Sequence, residues 1–213
     1  MPQLRLVLPV LAILFCGSAA TAQVDFPSTD AFLKATLKGE DRLEIQTKGD
    51  LNGDGRGDWV GVIERQKQDS APTHQLYLLL QLVQGQYHVA EKSKEEEIPT
   101  GGCCWIEGLE IRNTSIYIQD NAKAVGENME AVTHQFKLYK GEWRLVGIKV
   151  SHTDFRSDPP NEIDTDTNLL TGSIIEKKQK GDNQPVTRNR RKRFPVYLLR
   201  DFDFSTDFGN RRT

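Results

Sequence analysis

Alternating apolar and polar positions occupy the middle of the chain in three pairs of segments, and a short polar link joins the two segments of each pair. The pairs cover residues 75–83 and 87–90, 109–111 and 116–118, and 132–139 and 143–150. Apolar residues at every second position, bounded by turn-forming residues, are typical of antiparallel hairpins. Hairpins in such close succession predict a mainly β fold, with a meander in a sandwich, an open barrel or a partial propeller-like sheet.

One segment near the start has helical spacing instead. Phe32, Leu33 and Leu37 would share one face of a helix. The hydroxyl and carboxylate groups of residues 28–30 can cap its first turn, and Gly39 can end its last turn. The pattern therefore predicts one short amino-terminal helix.

The last third of the chain is less regular. Residues 151–168 are polar and acidic and contain two consecutive prolines, which favour an exposed, non-helical path. Residues 169–175 and 195–199 predict two further strands, whereas residues 177–193 are charged and predicted to be exposed. Ahead of a frayed carboxyl-terminal tail, three aromatic residues are expected to pack against the fold: Phe202, Phe204 and Phe208.

The first 22 residues have the order of a secretory signal peptide. Arg5 gives a positive start, residues 6–15 are almost wholly apolar, and small residues lead to Ala22, after which cleavage is expected. The apolar run is about ten residues long, which is too short for a membrane span of about 20 residues. The sequence therefore predicts export to the periplasm or the extracellular space, with residues 23–213 as the mature chain.

The mature chain fits a single β-rich domain, because single domains commonly reach about 200 residues. No second long apolar stretch follows, so no membrane span is predicted. A basic cluster at residues 188–193 could meet phosphate, anionic lipid or an acidic protein surface. Nucleic-acid binding is not expected, because the chain is predicted to be exported and no stacking aromatic residues surround the basic cluster.

The stretch at residues 49–59, with the sequence GDLNGDGRGDW, is the most specific chemical pattern in the chain. Ca²⁺ prefers six to eight oxygen ligands, and glycines let a short loop curl so that alternate side chains face one point. The expected ligands are four side chains and one backbone carbonyl, namely Asp50, Asn52, Asp54, Asp58 and the carbonyl of Arg56. The alternative is an exposed turn rich in aspartate and glycine that holds no metal.

The spacing follows an EF-hand for nine positions and then departs from it. The twelfth position is Gly61 instead of glutamate, and residues 59–63 are strand-like. The motif resembles the calcium loops of FG-GAP or VCBS repeats, in which such a loop leads into a β-strand, and the matching residues are Asp50, Asn52, Asp54, Gly55 and Asp58. The resemblance implies one bound Ca²⁺. We expect that ion to be structural, because no histidine lies nearby to act as a base.

Cys103 and Cys104 are the only cysteines of the mature chain, and they follow two glycines. They could form a vicinal disulfide, which would be strained because adjacent Cα atoms lie closer together than most disulfides allow. They could also remain two thiols or pair with another chain. More loosely, the chain is similar to secreted bacterial proteins that combine one such calcium loop with a glycine- and cysteine-containing turn and a segment like residues 168–172.

No catalytic constellation is visible in the sequence. Nothing places a serine or cysteine nucleophile beside any of the four histidines, which are His74, His88, His134 and His152. The sequence therefore favours an exported binding or interaction protein for a protein or envelope ligand, including a periplasmic inhibitor or immunity-like protein. The competing class is an enzyme whose site is assembled from distant residues, and convergent His, Asp or Glu side chains would favour it.

Overall fold

In a computed structural model, which describes residues 24–67, 70–97, 105–121 and 128–202, the chain forms two antiparallel β-sheets, one α-helix and one 3-10 helix. The elements in chain order are β1 (Asp25–Phe26), α1 (Thr29–Thr36), β2 (Arg42–Gly49), β3 (Asp58–Arg65), β4 (Thr73–Gln81), β5 (Tyr87–Lys92), β6 (Glu96–Glu97), β7 (Trp105–Arg112), β8 (Ser115–Asn121), β9 (Asn128–Tyr139), β10 (Glu142–Asp154), β11 (Asn161–Asn168), β12 (Ser173–Lys180), β13 (Val186–Arg191) and the 3-10 helix (Leu199–Asp201). This architecture confirms the prediction of a mainly β fold with one short helix.

The strands divide into two sheets along the chain. In sheet 1 the strand order is β1-β5-β4-β3-β2, and β6 also pairs with β4. In sheet 2 the strands from β7 to β13 lie side by side in sequence order, as a continuous meander. The three hairpins that the alternating pattern predicts are present as β4–β5, β7–β8 and β9–β10.

The main hydrophobic core lies between the two sheets. Strand alternation turns every second side chain of β3 and β4 toward sheet 2, where the facing residues of β7 to β10 meet them. The largest fully buried side chains of this core are aliphatic and aromatic, including Val60, Leu76, Leu78, Ile116, Ile118 and Phe136.

A second, smaller core covers the other face of sheet 1. The Ser28 hydroxyl caps α1 by accepting a hydrogen bond from the amide of Ala31. The capped helix buries Phe32, whose ring lies 5.6 Å from the ring of Trp59 and 5.3 Å from that of Tyr77. Because helix and sheet 2 lie on opposite faces of sheet 1, β3 is buried along almost its whole length.

The sheets come closest where β2 ends. A Cβ atom added at Gly49 would lie 2.7 Å from the Cγ2 atom of Ile111 on β7, so only glycine fits this approach. The loop predicted to bind calcium begins at the next residue.

Sheet 2 is wider than sheet 1, and its last three strands extend beyond the core. We call this part, β11 to β13 with their connecting turns, the overhang. Of its described residues only Leu169 and Ile174 are buried hydrophobic side chains, and all six residues of β13 are exposed. The overhang is therefore held mainly by backbone hydrogen bonds between neighbouring strands.

Two strands expected from the sequence differ in this region, and one polar segment forms strands that were not expected. Residues 151–168 are non-helical, as predicted, but they extend β10 and form β11, because the neighbouring strands supply backbone partners without requiring apolar side chains. The strand predicted at residues 169–175 begins only at Ser173, as β12, because residues 169–172 form a turn in which Gly172 has a φ of +74°. Residues 195–199 make only one bridge, between Arg144 and Leu198, before the 3-10 helix.

Other expectations fall partly or wholly outside the described residues. Phe202 is buried, as predicted, and its ring contacts that of Phe136 at 4.8 Å. The signal peptide, the pair Cys103 and Cys104, and the tail from residue 203 lie outside the described ranges. Within those ranges, no helix combines the length and the apolar character that a membrane crossing requires.

Packing around β3 can be tested at Gly61, over which the Trp59 ring lies so closely that an added Cβ would overlap it. We expect Gly61→Ala to lower the free energy of unfolding by about 1–3 kcal/mol, because the ring must move out of a filled core. The measurement is urea unfolding followed by tryptophan fluorescence. Gly57→Ala is the matched control, since nothing lies within 4 Å of its added Cβ. Equal stability of the two variants would contradict this account of the packing.

Candidate functional site

The loop between β2 and β3 curls around the Asp50 carboxylate. Its Oδ1 accepts hydrogen bonds from the amides of Gly53 (2.7 Å) and Asp54 (3.2 Å), and its Oδ2 accepts one from Gly55 (2.8 Å). The Gly55 bond is the main reason that the pKa of Asp50 lies below its ordinary value. Gly53 and Gly55 have φ values of +80° and +79°, a conformation that glycine adopts without steric cost.

Asp58 fastens the other end of the loop to sheet 1. Its side chain is fully buried at the start of β3. The Oδ2 atom accepts the amide of Leu51 at 2.8 Å, and the Oδ1 atom accepts the amide of Gln81 on β4 at 2.9 Å. Asp58 therefore ties the first part of the loop to the start of β3 and to the end of β4.

Arg56 contributes a side chain where the sequence indicates only a carbonyl. Its guanidinium pairs with the Asp54 carboxylate, and its Nε donates to the carbonyl of Gln81 at 2.8 Å. Asn52 accepts the amide of Asp54 at 3.1 Å, as in an Asx turn. In this conformation the loop is a hydrogen-bonded turn with one internal ion pair.

The donor set nevertheless fits a hard cation by its chemistry. Burial is the main cause of the raised pKa of Asp58, and the negative charges of Asp54 and Asp50 raise it further. Three carboxylates are thus close enough to repel one another, and each oxygen that accepts one amide keeps a second lone pair. Across the described ranges no group of three His, Cys, Asp or Glu side chains is already arranged to hold a metal. Ca²⁺ coordination would therefore require the Asp54 side chain to leave Arg56.

A second group of polar residues lies inside the protein, and the sequence did not single it out as a site. We call it the inter-sheet cluster: Glu44, Glu64 and His74 from sheet 1, with Asp120 and His134 from sheet 2. The side chains of His74, Glu64 and His134 are 7%, 6% and 4% exposed, whereas those of Glu44 and Asp120 retain about a fifth of their exposure. Such burial is uncommon for ionisable groups.

Strand alternation explains why these residues meet. Glu64 follows Val60 and Val62 on the inner face of β3, and His74 precedes Leu76 and Leu78 on the inner face of β4. Asp120 and His134 continue the inner faces of β8 and β9 in the same way. The cluster is therefore the polar end of the hydrophobic core.

In sheet 1 the cluster is centred on His74. Its Nε2 atom lies 3.3 Å from a Glu44 oxygen and 3.6 Å from a Glu64 oxygen. Arg42 donates to the same Glu64 carboxylate at 2.7 Å. One imidazole thus contacts two carboxylates, of which only Glu64 also has an arginine hydrogen bond.

In sheet 2 the Nδ1 atom of His134 lies 3.4 Å from the Asp120 carboxylate. Its ring packs edge-on against Phe202 at 5.1 Å, so the chain beyond the overhang returns to close this end of the core. The charge of Asp120 contributes to the raised pKa of Glu44, which places the two halves of the cluster within electrostatic range of each other.

The cluster gives two neighbouring carboxyl groups opposite environments. Burial, together with the charge of Glu64, raises the pKa of Glu44 from its ordinary 4.5 to about 7. Burial is the largest single influence on Glu64 and acts to raise its pKa, but the hydrogen bond and charge of Arg42, together with His74 and Gln66, hold that pKa below its ordinary value. Burial lowers the pKa of His74. Near neutral pH, therefore, one carboxyl can hold a proton beside another that stays ionised.

A sequence signal for the cluster does exist, although it is weak. His74 and His134 occupy inward positions of apolar alternation, as in His74-x-Leu76-x-Leu78. A polar residue at an inward position is consistent with a satisfied core histidine as well as with a site. Only the pairing of the strands shows that three carboxylates accompany the histidines.

Comparison of the chain with protein-family models, with curated protein sequences and with solved structures gives no match. Function is therefore inferred from the chain's own geometry.

The environment of Glu44 predicts a pH dependence of stability. Between about pH 4.5 and 7 the folded state holds a proton at Glu44 that the unfolded state has released, so the free energy of unfolding falls as pH rises through this window. Glu44→Gln removes this loss. Relative to wild type, the variant should gain about 1–2 kcal/mol between pH 4.5 and 8, less than the full linkage because the carboxyl is partly solvated.

The measurement is urea unfolding of both proteins across this pH range. His74, whose lowered pKa weakens the fold at acid pH, is present in both proteins. Glu40→Gln, at an exposed position before β2, is the control and should run parallel to wild type. Parallel curves for Glu44→Gln and wild type would show that Glu44 titrates normally.

Proposed function

We propose that the protein is an exported binding module, fastened by a structural calcium ion at residues 50–58, which presents its overhang to a partner. The observation that carries this proposal is the overhang itself. Three strands are built beyond the core, yet they bury only two hydrophobic side chains among their described residues. A protein that needed only a stable sandwich would have little use for them, whereas exposed elements on a rigid scaffold are a common location for binding residues.

A calcium ion at the loop would be held by oxygens of Asp50, Asn52, Asp54 and Asp58 and by the Arg56 carbonyl. Bound there, it would supply positive charge where three carboxylates approach one another. The loop joins β2 to β3 and is hydrogen bonded to β4, so any stabilisation would reach the centre of sheet 1. The role is structural because the inter-sheet cluster lies at the opposite end of β3.

An enzyme is the second candidate, and the inter-sheet cluster favours it. Glu44 and Glu64 contact one imidazole, while their environments push the two carboxyl pKa values apart. General acid–base catalysis uses such a pair. An enzyme of this kind would lose turnover in Glu44→Gln, whereas binding through the overhang would be unaffected by that substitution.

The calcium proposal predicts a stabilisation that depends on Asp54. For a site with a dissociation constant near 10⁻⁴–10⁻³ M, 10 mM Ca²⁺ should raise the free energy of unfolding by about 1–3 kcal/mol and the melting temperature by a few degrees. Asp54→Ala should abolish this response, and in EDTA the melting temperature of the variant should be close to that of wild type. The measurement is thermal unfolding of the mature protein in Ca²⁺, in Mg²⁺ and in EDTA.

Asp58→Ala distinguishes the stabilisation due to hydrogen bonds in the turn from that due to a bound metal. It should lower the free energy of unfolding by about 2–4 kcal/mol even in EDTA, because the buried amide of Leu51 and the partly buried amide of Gln81 lose their acceptor. Identical melting curves for wild type in Ca²⁺ and EDTA would exclude the calcium ion while leaving the hydrogen-bonded turn intact.

The binding proposal predicts that partner capture depends on the overhang. Immobilised wild type and a Lys177→Glu/Lys178→Glu variant, altered on both faces of β12, would be compared by affinity capture from the envelope extract of the source cells. Lys38→Glu/Lys149→Glu carries the same charge change at exposed positions outside the overhang. A partner should be retained by wild type and by this control and lost from the β12 variant. A partner retained equally by all three proteins would place binding elsewhere.

A further inference from the structure

We propose that the outer edge of β13 binds an acidic, extended peptide segment of a partner by adding it to sheet 2 as an eighth strand. This inference rests on the proposed binding function and names the chemistry of its partner. It combines the outer edge of β13, the arginines along it and a recess beside it.

Within the described ranges, no strand pairs with the outer edge of β13. Strand β13 ends the order of sheet 2 and pairs only with β12 among the described strands. An edge strand offers alternate N–H and C=O groups to any chain that can run beside it. Peptide recognition by strand addition uses these groups for affinity and the alternating side chains for specificity.

The charges on the edge select the kind of chain that can pair there. Arg188 and Arg190 lie on the inner face of the sheet, opposite Glu176 and Ile174 of β12, and Arg191 lies on the outer face. Arg188 and Arg190 are two residues apart, so they are separated by about 6–7 Å, the spacing of alternate side chains in any extended chain. No ion pair joins these three arginines to a carboxylate within the described ranges; Glu176 pairs instead with Lys178, at 3.4 Å.

A charged edge ordinarily protects a protein from unwanted strand pairing. In this protein the charges disfavour pairing with a second copy of β13, because that pairing would bring arginines together. They do not disfavour pairing with a strand that has carboxylates at alternate positions. Arginine forms bidentate, charge-assisted hydrogen bonds with carboxylates, so the same residues that exclude self-pairing favour an acidic strand.

A recess at the start of β13 extends the inner face. It has a volume of about 470 Å³, and its lining includes Ile163, Lys178, Lys180 and Val186. Val186 is 60% exposed, so an apolar side chain on the added strand could cover it. The expected partner sequence therefore has acidic residues opposite Arg188 and Arg190 and an apolar residue two positions further, opposite Val186.

The test uses a fluorescein-labelled peptide that contains the sequence Glu-Thr-Glu-Thr-Val, capped at both ends, and its reversed sequence for the parallel orientation. Binding to the full mature protein is followed by fluorescence anisotropy in 50 mM salt. A peptide with Lys in place of Glu tests charge. Two further peptides are N-methylated at every second amide, one at the odd positions and one at the even positions. These two phases of N-methylation test whether backbone hydrogen bonds are required.

The variant is Arg188→Glu/Arg190→Glu, with Arg188→Gln/Arg190→Gln as a milder change. Lys38→Glu/Lys149→Glu is the control with a matched charge change. Circular dichroism and thermal unfolding establish that each variant keeps the sheet. We expect one of the Glu peptides to bind wild type and the control equally, and to bind the glutamate variant at least about tenfold more weakly. One phase of N-methylation should weaken binding by a similar factor.

Binding of the N-methylated peptides in both phases at the affinity of the parent would overturn the proposal, because the surface would then be a general polyanion site. Stronger binding of heparin or of vesicles containing anionic lipid than of either peptide would overturn it as well. So would a dimer, seen in sedimentation, that the arginine variants abolish. If neither Glu peptide binds while partner capture still depends on Lys177 and Lys178, the edge-strand inference fails and the proposed binding function stands.

Discussion

Burial of β3 on both faces is the constraint on which the rest of the structure depends. Val60 and Val62 of this strand enter the core between the sheets, while Trp59 and Ile63 enter the core under the helix. A slip of one residue would exchange these two sets of side chains, so the register of β3 with β2 and β4 is strongly determined. Helix α1 and sheet 2 are then placed by packing against the two faces of a strand that cannot shift.

The two polar sites lie near opposite ends of this strand. Asp58 begins β3 and holds the loop, whereas Glu64 lies close to its end and belongs to the inter-sheet cluster, about 20 Å away along an extended strand. Each carboxylate is tolerated inside the protein because it is satisfied locally, Asp58 by two backbone amides and Glu64 by Arg42. One strand thus positions both the loop and the inter-sheet cluster, far enough apart that they share no described contact.

The two halves of sheet 2 differ in how much they contribute to the core. Strands β7 to β10 supply side chains to the core, whereas the overhang supplies few and carries the arginines of β13. A strand outside the core can change its side chains with little effect on packing. Its charged residues can therefore change to match a partner without disturbing the core. For this reason the binding proposal depends on the overhang and not on the core.

Some elements could be predicted from the amino-acid sequence because apolar periodicity or turn-forming glycines mark them. These are the capped helix, the three central hairpins and the loop that curls at Gly53 and Gly55, because local spacing and backbone preferences are sufficient to specify them. The other features depend on contacts between segments that are distant in the chain. Strands β11 and β13, and β12 beyond Ile175, have mainly polar side chains and are recognisable only from the neighbouring backbone that pairs with them. The inter-sheet cluster brings together residues as distant in the chain as Glu44 and His134. No local sequence pattern predicts such a contact, because it depends on how the two sheets pack.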